Sequence, residues 1–162
     1  MVKPNQIIWP SHYEPENCPV HVRNELSMPS DQETIWAWLV RAQLWPTWYP
    51  NSANIQFLNG QPPDLALGTI FRWKTFGVTI KSTVLEFVPH ERIAWDAHGT
   101  GLEAYHAWII EKKDQGCHVL TEEVQRGWLA RLGKALRPSR MQQLHQVWLE
   151  RLSSKASSGP PP

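Results

Sequence analysis

The stretch Thr69–Lys112, TIFRWKTFGVTIKSTVLEFVPHERIAWDAHGTGLEAYHAWIIEK, decides the fold. It alternates apolar and polar residues and is cut by short turn signals at Phe76-Gly77, Pro89-His90 and Gly99-Thr100-Gly101, the pattern of antiparallel strands in sequence order. In Thr69–Thr75 the odd positions hold Phe71 and Trp73 while Arg72 and Lys74 take the even ones, so the odd side faces a core. The inward set is even in Val78–Val88 (Val78, Ile80, Val84), odd in Arg92–His98 (Ile93, Trp95) and even in Leu102–Lys112 (Leu102, Trp108, Ile110). Facing residues share a side, so each turn must contain an even number of residues. Two-residue turns at Phe76-Gly77, Pro89-His90 and Thr100-Gly101 satisfy this. They set Trp73 beside Ile80, Val84 beside Trp95, and Trp95 beside His106.

Working outward, Ile55–Asn59 and Cys117–Gln125 read as further strands of the meander. The parity of the last one stays open. A three-residue Asp114–Gly116 turn sends Leu120, Glu122 and Val124 inward, and a two-residue turn sends Val119, Thr121 and Glu123. Val20–Met28 predicts a first strand. Ser30-Asp31-Gln32-Glu33 matches a capping box ahead of a short helix carrying Ile35, Trp36, Leu39 and Val40 to about Arg41. Leu44-Trp45-Pro46-Thr47-Trp48-Tyr49-Pro50 reads as a turn-rich aromatic connection. Beyond Gly127, Leu129, Leu132 and Leu136 recur at helical spacing until Pro138 breaks the run. Ser139-Arg140-Met141-Gln142 is a second capping box, opening a final helix with Met141, Leu144, Trp148 and Leu152 on one stripe.

Both ends differ from this pattern. Residues 1–19 carry Pro4, Pro10, Pro15 and Pro19, which predicts an extended arm laid on the domain through Ile7, Ile8 and Trp9. The domain itself spans 20–155. The Ser-, Gly- and Pro-rich end, from Ser153 and above all over 156–162, is expected to be an unstructured tail.

The chain has 162 residues, 41% of them hydrophobic and 19% charged, with a net charge of +1. That suffices for one packed domain and gives no one-sided field for nucleic acid. No apolar run approaches the ~20 residues that cross a bilayer, so stable membrane insertion is not expected. Met1–Cys18 holds no apolar stretch of signal-peptide length, and a cytoplasmic protein is the expectation. Cys18 and Cys117 are then thiols. A metal site built from Cys18, His21, Cys117 and His118 is not expected, because neighbours on a strand point to opposite faces. No cofactor and no oligomeric state is read from the chain. Ten tryptophans are far more than a fold this size needs.

The order of elements resembles the START-like, or SRPBCC, superfamily, which includes the polyketide cyclase or dehydrase families. The residues that carry the likeness are Met28-Pro29-Ser30 before Trp36, Trp45-Pro46-Thr47-Trp48-Tyr49-Pro50, Gly68 before Phe71-Arg72-Trp73, and Val84-Leu85-Glu86-Phe87-Val88-Pro89 leading to Arg92-Ile93-Ala94-Trp95. His106-Ala107-Trp108 and Glu123 with Gly127 complete it. The resemblance implies an α+β helix-grip fold, a curved antiparallel sheet of about seven strands wrapped around the long last helix with short helices after the first strand. It also implies an internal cavity for a hydrophobic small molecule such as a lipid, polyketide or aromatic metabolite. Parity places Phe71, Trp73, Ile80, Val84, Trp95, His106 and Trp108 on the concave face. Met141, Leu144, His145 and Trp148 would close it from the helix, His145 at the rim.

Trp36, Trp128 and Trp148 are read as core, whereas Trp73, Trp95 and Trp108 either stack on a ligand or fill the cavity themselves. No residue is assigned a catalytic role. His106, one of Glu122 or Glu123, and His145 are the inward acids and bases, and His106 is the candidate for a cyclase- or dehydratase-type reaction. The leading reading is a carrier or sensor. Its rivals are that enzyme in the same cavity, or a protein-interaction module with a closed cavity and a partner on the outer sheet face or the arm.

Overall fold

The structure is a computed structural model and describes residues 6–162. It is α+β. Seven strands, β1 (Val20–Met28), β2 (Ala53–Phe57), β3 (Ile70–Thr75), β4 (Val78–Val88), β5 (Arg92–Gly99), β6 (Leu102–Lys112) and β7 (Cys117–Arg126), form one open, curved antiparallel sheet in the order β1-β7-β6-β5-β4-β3-β2. Helices α1 (Gln32–Val40) and α2 (Trp128–Leu136) flank the long α3 (Arg140–Ser157), which packs along β1 and α1.

The register follows the parity reading: Trp73 pairs with Ile80, Val84 with Trp95, and Trp95 with His106. One turn differs. Val88 pairs with Arg92, so the β4–β5 turn has three residues, Pro89-His90-Glu91, and a bulge at Leu85 restores the parity that the odd turn would have broken. Lys112 pairs with Cys117, so the β6–β7 connection has four residues, 113–116, rather than two or three, and its even length turns Thr121 and Glu123 inward. Glu122 points to the convex side, where it binds Arg23 Nη1 at 2.7 Å and His21 Nε2 at 2.8 Å.

Neither capping box forms as read. Asp31, not Ser30, caps α1 by accepting from the Thr34 N–H at 2.7 Å. Ser139 precedes α3 without a side-chain cap. Helix α3 runs on to Ser157, which corrects the expectation of an unstructured chain from Ser153. Past it, the Gly159 carbonyl accepts from Trp38 Nε1 at 2.7 Å and the Pro162 carbonyl from Arg41 Nη1. On α3, His145 rather than Leu144 lies on the buried face with Met141, Trp148 and Leu152; Leu144 is half-buried.

The arm lies on the convex face, with Pro4 outside the described residues. Ile7 is buried and Trp9 partly so, while Ile8 is exposed. Short 3₁₀ turns at Ser11–Tyr13 and Pro15–Asn17 interrupt the expected extension, and Tyr13 stacks on Tyr105 with ring centroids 5.5 Å apart. Together with Ala94, Ala107, Leu120 and Val124 these residues form a second apolar layer.

The concave side is filled at its middle. Trp45, held by a hydrogen bond from Nε1 to the Leu39 carbonyl at 3.0 Å, contacts Trp148, Trp73, Trp95 and Phe71 at centroid distances of 5.2, 5.3, 5.6 and 6.0 Å. All but the tilted Trp95 meet Trp45 edge to face, and rings in that arrangement at such distances add to their burial energy. Trp36 and Trp148 are core as expected, but Trp128 is 61% exposed and is not.

Candidate functional site

With its centre plugged by Trp45, the concave face keeps a cavity at one end. This space of about 310 Å³ lies under α2, between the start of α3 and the ends of β1, β4 and β6. Its walls are mostly apolar, among them Val22, Ile80, Ala104, Leu129 and Met141, with Glu123 and Gln125 as polar groups of the β7 wall. Helix α2 roofs it, burying only Ala130 and leaving Leu132 and Leu136 largely exposed.

The seat of α2 depends on two glycines. The Leu129 N–H donates to the Gly101 carbonyl at 3.0 Å, and a Cβ on Gly101 would meet the Trp128 indole at 2.2 Å. Gly127, at φ +100°, would drive a Cβ into the Gly101 carbonyl at 2.3 Å, so this corner demands residues without side chains.

Beside the cavity, β6, β7 and α3 bring together three buried ionisable groups. Glu123 pairs across the sheet with His106, which parity foresaw as inward, and His145 reaches down from α3. Glu123 Oε2 is 2.9 Å from His145 Nε2 and 3.2 Å from His106 Nδ1. His106 Nε2 lies 2.7 Å from Thr121 Oγ1, and His145 Nδ1 2.8 Å from the Met141 carbonyl. Burial pushes the His106 imidazolium down to about 3, against the pull of Glu123, so the ring is neutral at neutral pH. Burial alone would raise the Glu123 carboxyl, but the neighbouring imidazoles hold it below the ordinary carboxylate value. The cluster can therefore hydrogen-bond the polar end of a cavity ligand, exchange a proton with it through Glu123, or hold a cation.

Of the residues expected to touch a ligand, Ile80 and Met141 line the cavity. Phe71, Trp73, Val84, Trp95, Trp108 and Trp148 lie instead in the packed aromatic core, with His106 and His145 at its border. Sequence reading missed the α2 wall and the plug. The signal for α2 was present, since the strip Leu129, Leu132 and Leu136 is a face awaiting something to cover.

The chain matches the family model for polyketide cyclase / dehydrase and lipid transport over residues 19–156. A crystal structure of the hypothetical protein jhp0584 from Helicobacter pylori is similar throughout, at 31% identity and TM-score 0.88, covering 96% of this chain and 99% of that one. The di-domain ARO/CYC protein StfQ of the steffimycin biosynthetic pathway shares the fold at 14% identity and TM-score 0.70, over 86% of this chain and 51% of that one. Norcoclaurine synthase from Thalictrum shares it at 12% identity and TM-score 0.65, over 86% and 94%. No curated protein matches the chain.

Proposed function

Because the chain belongs to the polyketide cyclase / dehydrase and lipid transport family, we propose that it binds a compact hydrophobic small molecule in the cavity under α2, apolar body against Ile80, Leu129 and Met141, polar end toward Glu123. The observation that carries this reading is the cavity itself, with mostly apolar walls, Glu123 at one side and the basic residues Lys134, Arg137 and Arg140 also in its lining. At about 310 Å³ it sits at the low end of the ~300–1,000 Å³ range of small-molecule sites, which suits an aromatic metabolite or short acyl chain better than a long lipid. No helix among the described residues is long and apolar enough to cross a membrane.

A second reading rests on the Glu123, His106 and His145 cluster, since a carboxylate with two imidazoles beside a ligand site is the equipment of a proton-transfer enzyme of the cyclase or dehydratase kind. The interaction-module reading draws less support, because the protein's own arm occupies the outer sheet face.

Native mass spectrometry of freshly purified protein, paired with titration of 1-anilinonaphthalene-8-sulfonate, tests binding. We expect a co-purified small molecule or saturable binding of one dye per chain. Neither an adduct nor saturation would sink the proposal. Chemical conversion of an identified ligand on incubation would favour the enzyme.

A further inference from the structure

Beside the cavity three possible metal-donor atoms converge, one each from His106, Glu123 and His145, all within 4.8 Å of one another. The Met141 carbonyl can only accept, so His145 Nδ1 carries the N–H across their 2.8 Å contact and Nε2 of the neutral ring is a lone pair. Thr121 Oγ1 lies 3.2 Å from the Ala107 carbonyl and 2.7 Å from His106 Nε2; while its proton goes to the carbonyl, His106 Nε2 donates to the hydroxyl and Nδ1 is likewise a lone pair. Both lone pairs face one oxygen, Glu123 Oε2, at 2.9 and 3.2 Å. With both rings neutral in these tautomers, neither gap holds a proton. A single divalent cation satisfies all three atoms.

The geometry agrees with that occupant. Donors about 2.0–2.1 Å from a tetrahedral zinc ion lie roughly 3.3 Å from each other, near the 2.9 and 3.2 Å from Glu123 Oε2 to the two imidazoles, and all three donor atoms lie within 4.8 Å of one another. Each ring is also steered by an acceptor on its far nitrogen, one a backbone carbonyl and one a hydroxyl, as metal-ligating histidines are. All three residues are buried: His145 is 1% exposed, His106 3% and Glu123 7%.

We propose that His106 Nδ1, His145 Nε2 and Glu123 form a binding site for one divalent transition-metal ion of borderline softness, such as zinc. Two imidazoles and a carboxylate suit such an ion better than magnesium or calcium, which favour oxygen donors. Glu123 also borders the cavity, so water or a ligand oxygen held there would lie beside the ion. The site does not depend on the proposed hydrophobic ligand.

The test uses full-length, tag-free protein stripped with a chelator. Calorimetric titration with Zn²⁺ should give one tight equivalent, and Co²⁺ should give the intense visible bands of a low-coordinate ion. His145→Gln and Glu123→Gln should each weaken zinc binding by more than about 100-fold, and Thr121→Val, which removes only the anchor of His106, by about 10–100-fold. Absence of stoichiometric zinc uptake and of cobalt bands in the wild type would overturn the proposal. So would zinc binding undiminished in the His145→Gln protein, which would place the ion on surface donors such as Cys18 or His21. Near-UV circular dichroism checks that each variant is folded, and the wild-type cobalt spectrum decides without any variant. Dye binding measured on the zinc-free protein tests the ligand reading separately, so either proposal can fail alone.

Discussion

Tyr49 lies flat on Trp148, the ring centroids 4.3 Å apart and the planes within 14° of parallel. A residue of the connection between α1 and β2 thereby covers the middle of α3, and Trp45, four positions earlier, meets the same indole edge to face. The connection acts as an internal plug that joins helix to sheet.

Removing the plug should be costly. Trp45→Ala is expected to lower stability by about 3–5 kcal/mol, as for other large aromatic deletions in tight cores, and Trp45→Phe by less. Urea unfolding measures both. A loss under about 1 kcal/mol for the alanine variant would mean that the aromatic centre is loosely packed.

All three tyrosines of the chain are buried or nearly so, and none should ionise at its ordinary pH while the protein is folded. Burial, with Asp96 and Glu103 adding to it, pushes Tyr13 up to about 12. Burial also raises Tyr49 and Tyr105. Raised phenol values give stability that is complete below the unfolded value near 10 and is lost as pH climbs through the folded values. Phenolate absorbance should therefore rise together with loss of the circular dichroism signal. A tyrosinate signal near pH 10 from folded protein would contradict the burial of these rings.

The corner under α2 can be probed by a double-mutant cycle. Gly101→Ala should destabilise the protein through collision with the Trp128 indole and through strain at φ +69°. In a Trp128→Ala background the collision disappears and only the strain remains, so the two changes should couple by roughly 0.5–3 kcal/mol. Additive effects would show that Trp128 does not rest on Gly101.

Filling the cavity should block it. Met141→Trp places an indole in open space at the wall, and affinity for 1-anilinonaphthalene-8-sulfonate should fall by about tenfold or more, ~1.4 kcal/mol. Unchanged dye binding in a folded variant would move the binding site elsewhere.

Strand parity made much of the sheet legible because the period of two tolerates no error where one face is buried. The Leu85 bulge escaped it: an odd turn and a bulge cancel, leaving Val84 opposite Trp95 either way. Glu123 stayed ambiguous with Glu122 because two adjacent acids give parity no contrast, and only the length of the Lys113–Gly116 connection decides between them. His145 was set at the rim because hydrophobicity favoured Leu144. Its partner there is a carboxylate from another element, which no local pattern announces. The plug was hidden for a similar reason, as a segment with Pro46 and Pro50 has no periodicity from which to read a buried face.

The placement of the cavity also bears on how this molecule can change. Its stability rests in the ring cluster around Trp45, whereas the shape of its binding space is set largely by α2, which commits one buried side chain to the core. Substitutions at Leu129, Leu132 or Leu136 can remodel what fits inside without disturbing the aromatic centre. Selection on ligand choice and selection on folding thus act on different residues, and a chain built this way can drift toward new small molecules while remaining intact.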